Sequence, residues 1–348
     1  MKNMYEAMQS ILDRTVDNKK VFGASFALRK GDFRWSGVSG NMKESRPFFI
    51  ASTTKLFTTA LILQLRSQLK LSFDDPLDRF LDGNILDALH IYKGNDYSKQ
   101  LTVGHLLAHT SGLPDYFLGK GKDGESLEKR LFAGRDLSFS FEDILERTKM
   151  MDALFVPGTK GKAHYSDTNF HLLAKIIENI TGRSFFENCD SRIIRPSGLT
   201  DTYLYEDITD DRPMQLYYKD GVLNIPKAMA SFKADGGMVS TSLDLIRFCE
   251  QFFTGKLFPY DYIGELQRWN RIFYPFSSGI GIQLFSLPRI LDPTKTIPDF
   301  IGHSGLSGAL AFYCPREDLY IAGTVNQMAH PDISIRTMIK LSRIVLKD

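Results

Sequence analysis

Ser52 and Lys55 stand three residues apart within the apolar run Phe48-Phe49-Ile50-Ala51-Ser52-Thr53-Thr54-Lys55-Leu56-Phe57. On a helix this spacing puts both side chains on one face, one turn apart, with an amine in reach of a serine oxygen. So apolar a setting should partly desolvate the lysine, favouring the neutral amine that can accept a proton. A serine at a helix N-terminus also has a backbone N–H and the positive end of the helix dipole nearby, both suited to a developing oxyanion. Nucleophilic acyl transfer is the chemistry such a pair supports. Four-residue patterns of common residues recur by chance, so the pair needs partners elsewhere in the chain.

Two further stretches can supply them. In Tyr165-Ser166-Asp167, at a loop-to-helix junction, a phenol could serve as base or relay if a nearby ammonium held its pKa down. In Ile301-Gly302-His303-Ser304-Gly305-Leu306-Ser307-Gly308, small residues flank a histidine beside expected strands. Glycine there allows close backbone approach, and the N–H just after Gly305 could act as a second oxyanion donor. His105 and His109 are spaced i,i+4, but Leu106-Leu107-Ala108 between them holds no glutamate, so a structural role is expected rather than a zinc site. No Gly-x-Ser-x-Gly elbow and no phosphate-binding glycine loop is present.

The elements that must position these groups begin with a helix over about 1–18 and two strands, Val21–Arg29 and Phe33–Val38, joined at Lys30-Gly31-Asp32. The Ser52 helix is expected to run to about Leu69, with a helical turn from Asp74 and a helix over Leu101–His109 that stops at Gly112 and Pro114. Residues 114–135 read as an irregular loop. Helices follow at Phe141–Arg147, Phe170–Ile180 and Phe185–Ile194, then at Ser242–Phe253. Strand-like runs cover Ser278–Phe285, Phe300–Gly302, Ala309–Cys314 and Leu319–Val325, before a closing helix over Ile333–Leu346. Strands at both ends with helices between them predict one sheet built from the two termini and an inserted helical domain.

The 348 residues suffice for a sizeable core. A balance of 43 basic against 41 acidic residues, without long blocks, gives no reason to expect a nucleic-acid partner. Cys189, Cys249 and Cys314 are few, odd in number and widely spaced, which implies reduced core thiols rather than a disulfide framework or a metal knuckle. No run of 18 apolar residues exists, so no membrane span is expected. The N-terminus lacks the pattern of a signal peptide, which points to the cytoplasm, or to the periplasm or exterior if a leader has been removed.

Taken together, the motifs resemble the serine β-lactamase and penicillin-binding-protein superfamily, in its class C-like branch with D,D-peptidases, D-aminopeptidases and esterases. Ser52-x-x-Lys55, Tyr165-Ser166-x and His303-x-Gly305 follow the family's order, and the stretches Leu101–Tyr116 and Ala234–Leu245 look like its longer signatures, over roughly residues 20 to 328. The resemblance implies an α+β fold with an antiparallel sheet, residues 1–70 and 235–348 forming one discontinuous domain and 71–234 an inserted, mainly helical one. It implies Ser52 as nucleophile, Lys55 as its amine partner, Tyr165 as base or relay, and His303 where relatives carry a lysine or histidine. The oxyanion hole would be the N–H groups of Ser52 and Leu306. Neither metal nor organic cofactor is implied. The activity implied is that of a related esterase or D-amino-acid peptidase, with a β-lactamase or D,D-carboxypeptidase proper as the alternative, so the partner is a small-molecule ester, β-lactam or D-amino-acid peptide. A penicillin-binding sensor or scaffold that deacylates too slowly for real turnover is the alternative outside enzymology.

One position departs from the pattern. Where the family carries Tyr-x-Asn, Asp167 stands, and an ionised carboxylate cannot donate the amide's hydrogen bond. It should instead attract Lys55 or a substrate ammonium, favouring simple esters or amino-terminal D-residues over β-lactams. Asn169, two residues on, should point elsewhere. The aromatics Phe22, Tyr116, Phe117, Tyr217, Tyr218 and Trp269 are candidates for lining an acyl pocket.

Overall fold

The computed structural model describes residues 2–121, 124–287, 290 and 296–347. Helix α1 (Lys2–Thr15) leads into strands β1 (Gly23–Lys30) and β2 (Phe33–Gly40), and Gly31 turns the hairpin at φ 54°. After a tight turn, helix α2 (Lys55–Ser67) enters the interior; helices α3 (Thr168–Thr181) and α4 (Ser242–Phe253) come later. The chain then forms β3 (Asn270–Phe273), β4 (Phe276–Ser278), β5 (Gln283–Phe285), β6 (Phe300–Ser304), β7 (Leu310–Cys314) and β8 (Leu319–Thr324), and closes with helix α5 (Asp332–Val345). These strands make one eight-stranded sheet in the order β3-β4-β5-β6-β7-β8-β1-β2, with every pairing antiparallel. The pairing of β1 with β8 joins the two ends of the sequence, as the strand pattern predicts.

Alternation along β1 decides which face meets which helices. Ala24, Phe26 and Leu28 join Met8 and Leu12 of α1 and Met338 and Leu341 of α5 in one core. Ala27 faces the opposite core, with Leu56 and Phe57 of α2 and Phe248 and Phe252 of α4. This is the two-residue period of a strand buried on both faces. Phe57 and Phe248 stack at 3.8 Å and lock α2 to α4. With ten of its thirteen residues buried, α2 is held by packing on nearly every side.

Several elements differ from expectation. Ser278–Phe285 is two strands rather than one, because Gly279 and Gly281 let the chain reverse between β4 and β5. Strand β6 continues through His303 to Ser304, one turn of pleat beyond the expected Phe300–Gly302. The region expected to be irregular, 114–135, contains a helix, Leu127–Phe132, capped by the Ser126 side chain accepting from Lys129 N–H; residues 122 and 123 lie outside the described residues. Phe185–Ile194 is an α-helix only to Cys189 and then a π-turn over Asp190–Ile194. Over Leu101–His109 the helix is confined to Val103–Leu107, where Thr102 and His105 form a reciprocal cap. His105 is thereby engaged with the backbone, and the described residues contain no cluster of metal-ligand type. Cys189, Cys249 and Cys314 are buried free thiols. Among the described residues no helix is long and apolar enough to cross a membrane.

Candidate active site

The turn that carries Ser52 is built before α2 starts. Ala51 sits in the left-handed region at φ 45°, and Ala51–Thr54 forms a 3₁₀ turn that leads directly into the helix. A β-carbon in that conformation stores strain, which is tolerated only where the surroundings fix it. They do so here: Ile50 N–H donates to Met238 O at 3.0 Å, and Ser307 Oγ donates to Phe49 O at 2.7 Å. The serine is therefore presented by a braced turn rather than by the helix proper.

Lys55 is fully buried, and its ammonium has three partners. It donates to Ser52 Oγ at 3.1 Å and to Asp235 O at 2.7 Å, and it lies 2.6 Å from Asp167 Oδ1. Burial alone would lower its pKa, but the Asp167 carboxylate, with Tyr165 and Asp235 behind it, raises it above the ordinary lysine value. The expectation of a neutral amine is thus reversed. Desolvation removes water from the lysine, yet it also strengthens attraction to a carboxylate in contact. Burial and Asp235 push the Asp167 carboxyl up while Lys55 pulls it down. The carboxyl stands above its ordinary value on balance, and its 2.6 Å contact with the ammonium is that of an ion pair.

Tyr165 lies within hydrogen-bonding reach of both Ser52 and Lys55. Burial raises its pKa, outweighing the ammonium whose centre lies 5.2 Å from the ring, so the phenol is held protonated. The ring is clamped by His109, stacked at 4.4 Å and 25°, and by Phe273, edge-on at 5.7 Å. His109 Nδ1 accepts from Ser166 N–H at 3.0 Å and faces Asn169 Nδ2 at 3.2 Å, which assigns a neutral ring with its proton on Nε2. Burial, Lys55 and His303 all hold its pKa well below the ordinary histidine value. The sequence marks His109 only as structural; its contact with Tyr165 gives it a direct hold on the phenol.

Asp167 belongs to a buried acidic group. Its N–H donates to Asp115 Oδ2 at 3.0 Å, and Asp235 Oδ2 accepts from Tyr116 Oη at 2.7 Å and lies 3.3 Å from His171 Nε2. Burial and the Asp167 charge push the Asp115 carboxyl up to about 7. Asp115, Tyr116 and Asp235 all fall inside the long runs Leu101–Tyr116 and Ala234–Leu245, so the signal for them was those runs rather than any short motif. Asn169 accepts from Ser111 Oγ at 2.8 Å and is turned away from the serine, as its spacing predicts.

The third stretch closes the site from the sheet. A β-carbon on Gly305 would lie 2.4 Å from Ile50 O and 3.2 Å from Ser52 N, so only glycine lets β6 and its turn approach the serine this closely. Gly305 N–H donates to Ala309 O at 2.7 Å and Gly308 N–H to Gly305 O at 3.0 Å, holding Leu306 in a tight turn on the cavity wall. His303 is buried beside Tyr165, ring centres 6.3 Å apart, with Nδ1 at 2.8 Å from Ser304 O. Burial and the Lys55 charge push its pKa down to about 3, so the imidazole is neutral.

Ser52, Tyr165, Asp167, Gly305 and Leu306 open onto a cavity of about 750 Å³. Of the six aromatics expected to line a pocket, only Phe117 does. Phe22 stacks on Tyr217 at 4.5 Å, Tyr218 on Phe132 at 4.3 Å, Tyr116 bonds Asp235, and Trp269 packs on the core. The wall comes instead from Phe232 and from Phe273, Tyr274, Phe276 and Phe285 of the β3–β4–β5 region.

The profile of the Beta-lactamase family matches residues 8–341. The chain belongs to the Beta-lactamase family. Among curated relatives, Penicillin-binding protein 4* of Bacillus subtilis (strain 168) is 29% identical over 218 residues, 59% of this chain and 42% of that protein. The Teichoic acid D-alanine hydrolase of Staphylococcus aureus is 27% identical over 220 residues, 61% of this chain and 47% of that protein. The chain thus spans about half the length of these curated relatives. Among solved structures, a D-stereospecific amidohydrolase from Streptomyces sp. superposes with a TM-score of 0.77 at 25% identity, covering 95% of this chain and 97% of that one. In this Beta-lactamase-family chain, Ser52, Lys55, Tyr165 and Asp167 meet at one end of α2, and Asp167 is the carboxylate in contact with the lysine.

Proposed function

We propose that this chain is a serine hydrolase, acylated on Ser52 by small-molecule esters or amides and then hydrolysed. The observation that carries the reading is Lys55, which donates to Ser52 Oγ at 3.1 Å while ion-paired to Asp167 at 2.6 Å. A charged lysine cannot take the serine's proton, so the pair must first exchange one: Lys55 passes a proton to Asp167, and the resulting amine accepts the proton of Ser52 as Oγ attacks the carbonyl carbon. The N–H groups of Ser52 and Leu306 receive the oxyanion. Tyr165 then gives its phenolic proton to the leaving group and is reprotonated by Lys55, and Asp167 returns its proton to the amine. His303 and His109, both neutral, hold the Tyr165 ring without exchanging protons. We assign residues 1–70 and 235–348 to one domain and 71–234 to an inserted one, since every strand of the large sheet falls in the first set.

Asp167, ionised as the substrate arrives, favours simple esters over β-lactams and D,D-peptides, whose carbonyl it cannot serve as a donor in that state. A second reading, an amide or ester of a D-residue with a free ammonium, is supported by the same carboxylate on the cavity wall and by the names of the D-alanine hydrolase and D-stereospecific amidohydrolase relatives. The test is a parallel kinetic screen of p-nitrophenyl acetate, nitrocefin and D-alanine p-nitroanilide, with Ser52→Ala as control. Sustained turnover of the ester, abolished in Ser52→Ala, is expected. Retained activity in that variant overturns the mechanism, and a nitrophenol burst without turnover replaces the enzyme by a slowly deacylating sensor.

A further inference from the structure

We infer that the acyl part of the substrate is a long, unbranched apolar chain, lodged in an arm of the cavity that runs from Ser52 to the C-terminal helix. This rests on the serine-hydrolase reading above and specifies its substrate class. Ile335 and Ile339 lie one turn apart on the same face of α5 and line the cavity together with Phe276 and Leu287. All four are only half-buried, although they pack against a core that is closed to solvent at Phe285, Phe300 and Phe312. Apolar surface left open beside a reactive serine is surface that a ligand covers.

Polar groups along the arm are already engaged. Gln283 Oε1 accepts from Ser304 N–H at 3.0 Å and Ser304 Oγ at 2.9 Å, near the serine end. At the far lip Arg336 is paired with Asp332 at 2.9 Å. Glu128 also lines the cavity, beside Phe117, but between Gln283 and Arg336 the described residues offer no unpaired charge for a second head group, so the part of the occupant in the arm is apolar. The cavity as a whole, the arm and the Phe117–Phe232 side together, is about 750 Å³, the size that holds a whole small-molecule ligand. Phe273 and Tyr274, 46% and 67% exposed, form an apolar lip where such a chain would enter.

The experiment measures kcat/KM for p-nitrophenyl esters from acetate to decanoate, each kept below its micellar concentration, beside D-alanine p-nitroanilide. The rate is expected to rise about fourfold per added methylene, the equivalent of the ~0.8 kcal/mol that one buried CH₂ contributes, until the arm is full. Narrowing the arm with Ile339→Trp, or independently with Ile335→Trp, should cut the decanoate-to-acetate ratio at least tenfold; because both positions are half-buried, either ratio serves if the other variant does not fold. Rates that fall from acetate onwards, or a D-alanyl substrate preferred over every chain length, overturn the chain-binding arm and leave the hydrolase intact. Absence of turnover on every ester, acetate included, instead removes the hydrolase reading on which the arm depends.

Discussion

Replacing Asp167 by asparagine should convert Lys55 from a cation into a titrating amine within the measurable pH range. At an effective dielectric of about 20, unit charges 2.6 Å apart attract by roughly 6 kcal/mol, and Lys55 is fully buried, so little solvent screening reduces this. Since one pKa unit corresponds to about 1.36 kcal/mol, losing the carboxylate lowers the lysine pKa by up to four or five units. What remains is desolvation, the largest influence, opposed only by Tyr165 and Asp235, and the balance carries the amine below its ordinary value of 10.5. In the wild type, the proton that must leave Lys55 moves within the ion pair, so kcat/KM for an ester should be flat from about pH 8 to 10. The asparagine variant should show a rising limb there, with its plateau above the lysine pKa.

Asp115, pushed up to about 7, is a nearby group able to confuse the result. Its elevation depends partly on the Asp167 charge, so its own titration falls in the variant and cannot produce a limb above pH 8. The assay is a pH–rate profile of p-nitrophenyl ester hydrolysis, with leaving-group absorbance corrected at each pH. A flat profile in the variant, matching the wild type, would falsify the assignment of Asp167 as the group that keeps Lys55 charged. The ratio of ester to nitrocefin turnover, measured on the same two proteins, tests substrate choice: it should fall in the variant as the amide restores a donor for the β-lactam carbonyl.

Two other perturbations probe the sheet side of the site. Gly305→Ala places a carbon 2.4 Å from Ile50 O, a backbone atom that cannot rotate away, and so moves the β6 turn from Ser52. The expected loss in kcat is about a hundred- to a thousand-fold, as for removal of an oxyanion donor, and an unchanged kcat in a folded variant refutes that donor's placement. His303, pushed down to about 3 from an ordinary 6.5, stays neutral in the fold but charges when unfolded, so it contributes stability above pH 6.5 that is lost as pH falls towards 3. His303→Asn should therefore flatten the decline in unfolding free energy between pH 7 and pH 4 by up to about 3 kcal/mol, read from denaturant titrations at pH 7, 5.5 and 4; an equally steep decline shows that other groups set the acid limb.

What could be read from the chain beforehand was whatever depended on short-range geometry. Ser52 and Lys55 meet because helical spacing is local, and Asn169 turns away from the serine for the same reason. The meeting of Asp167 with Lys55 was also legible, since it needs only opposite charge and a shared site. The cavity wall was not: Asn270–Phe273 alternates half-buried and exposed positions, and only pairing with β4 makes a strand of it, so Phe273 and Tyr274 gave no local signal. The sign of the lysine's pKa was missed for a related reason. Counting apolar neighbours along α2 registers the loss of water, whereas the Asp167 carboxylate and the Asp235 carbonyl arrive from far along the chain. Burial is not neutral between those two contributions. The low dielectric that would neutralise an isolated lysine multiplies its attraction to a carboxylate in contact, so a single distant residue reverses the direction that the local sequence implies. In this site the acid–base state of the lysine beside Ser52 is therefore set by tertiary contact, and Asp167, not the apolar helix, is the residue whose replacement should change it.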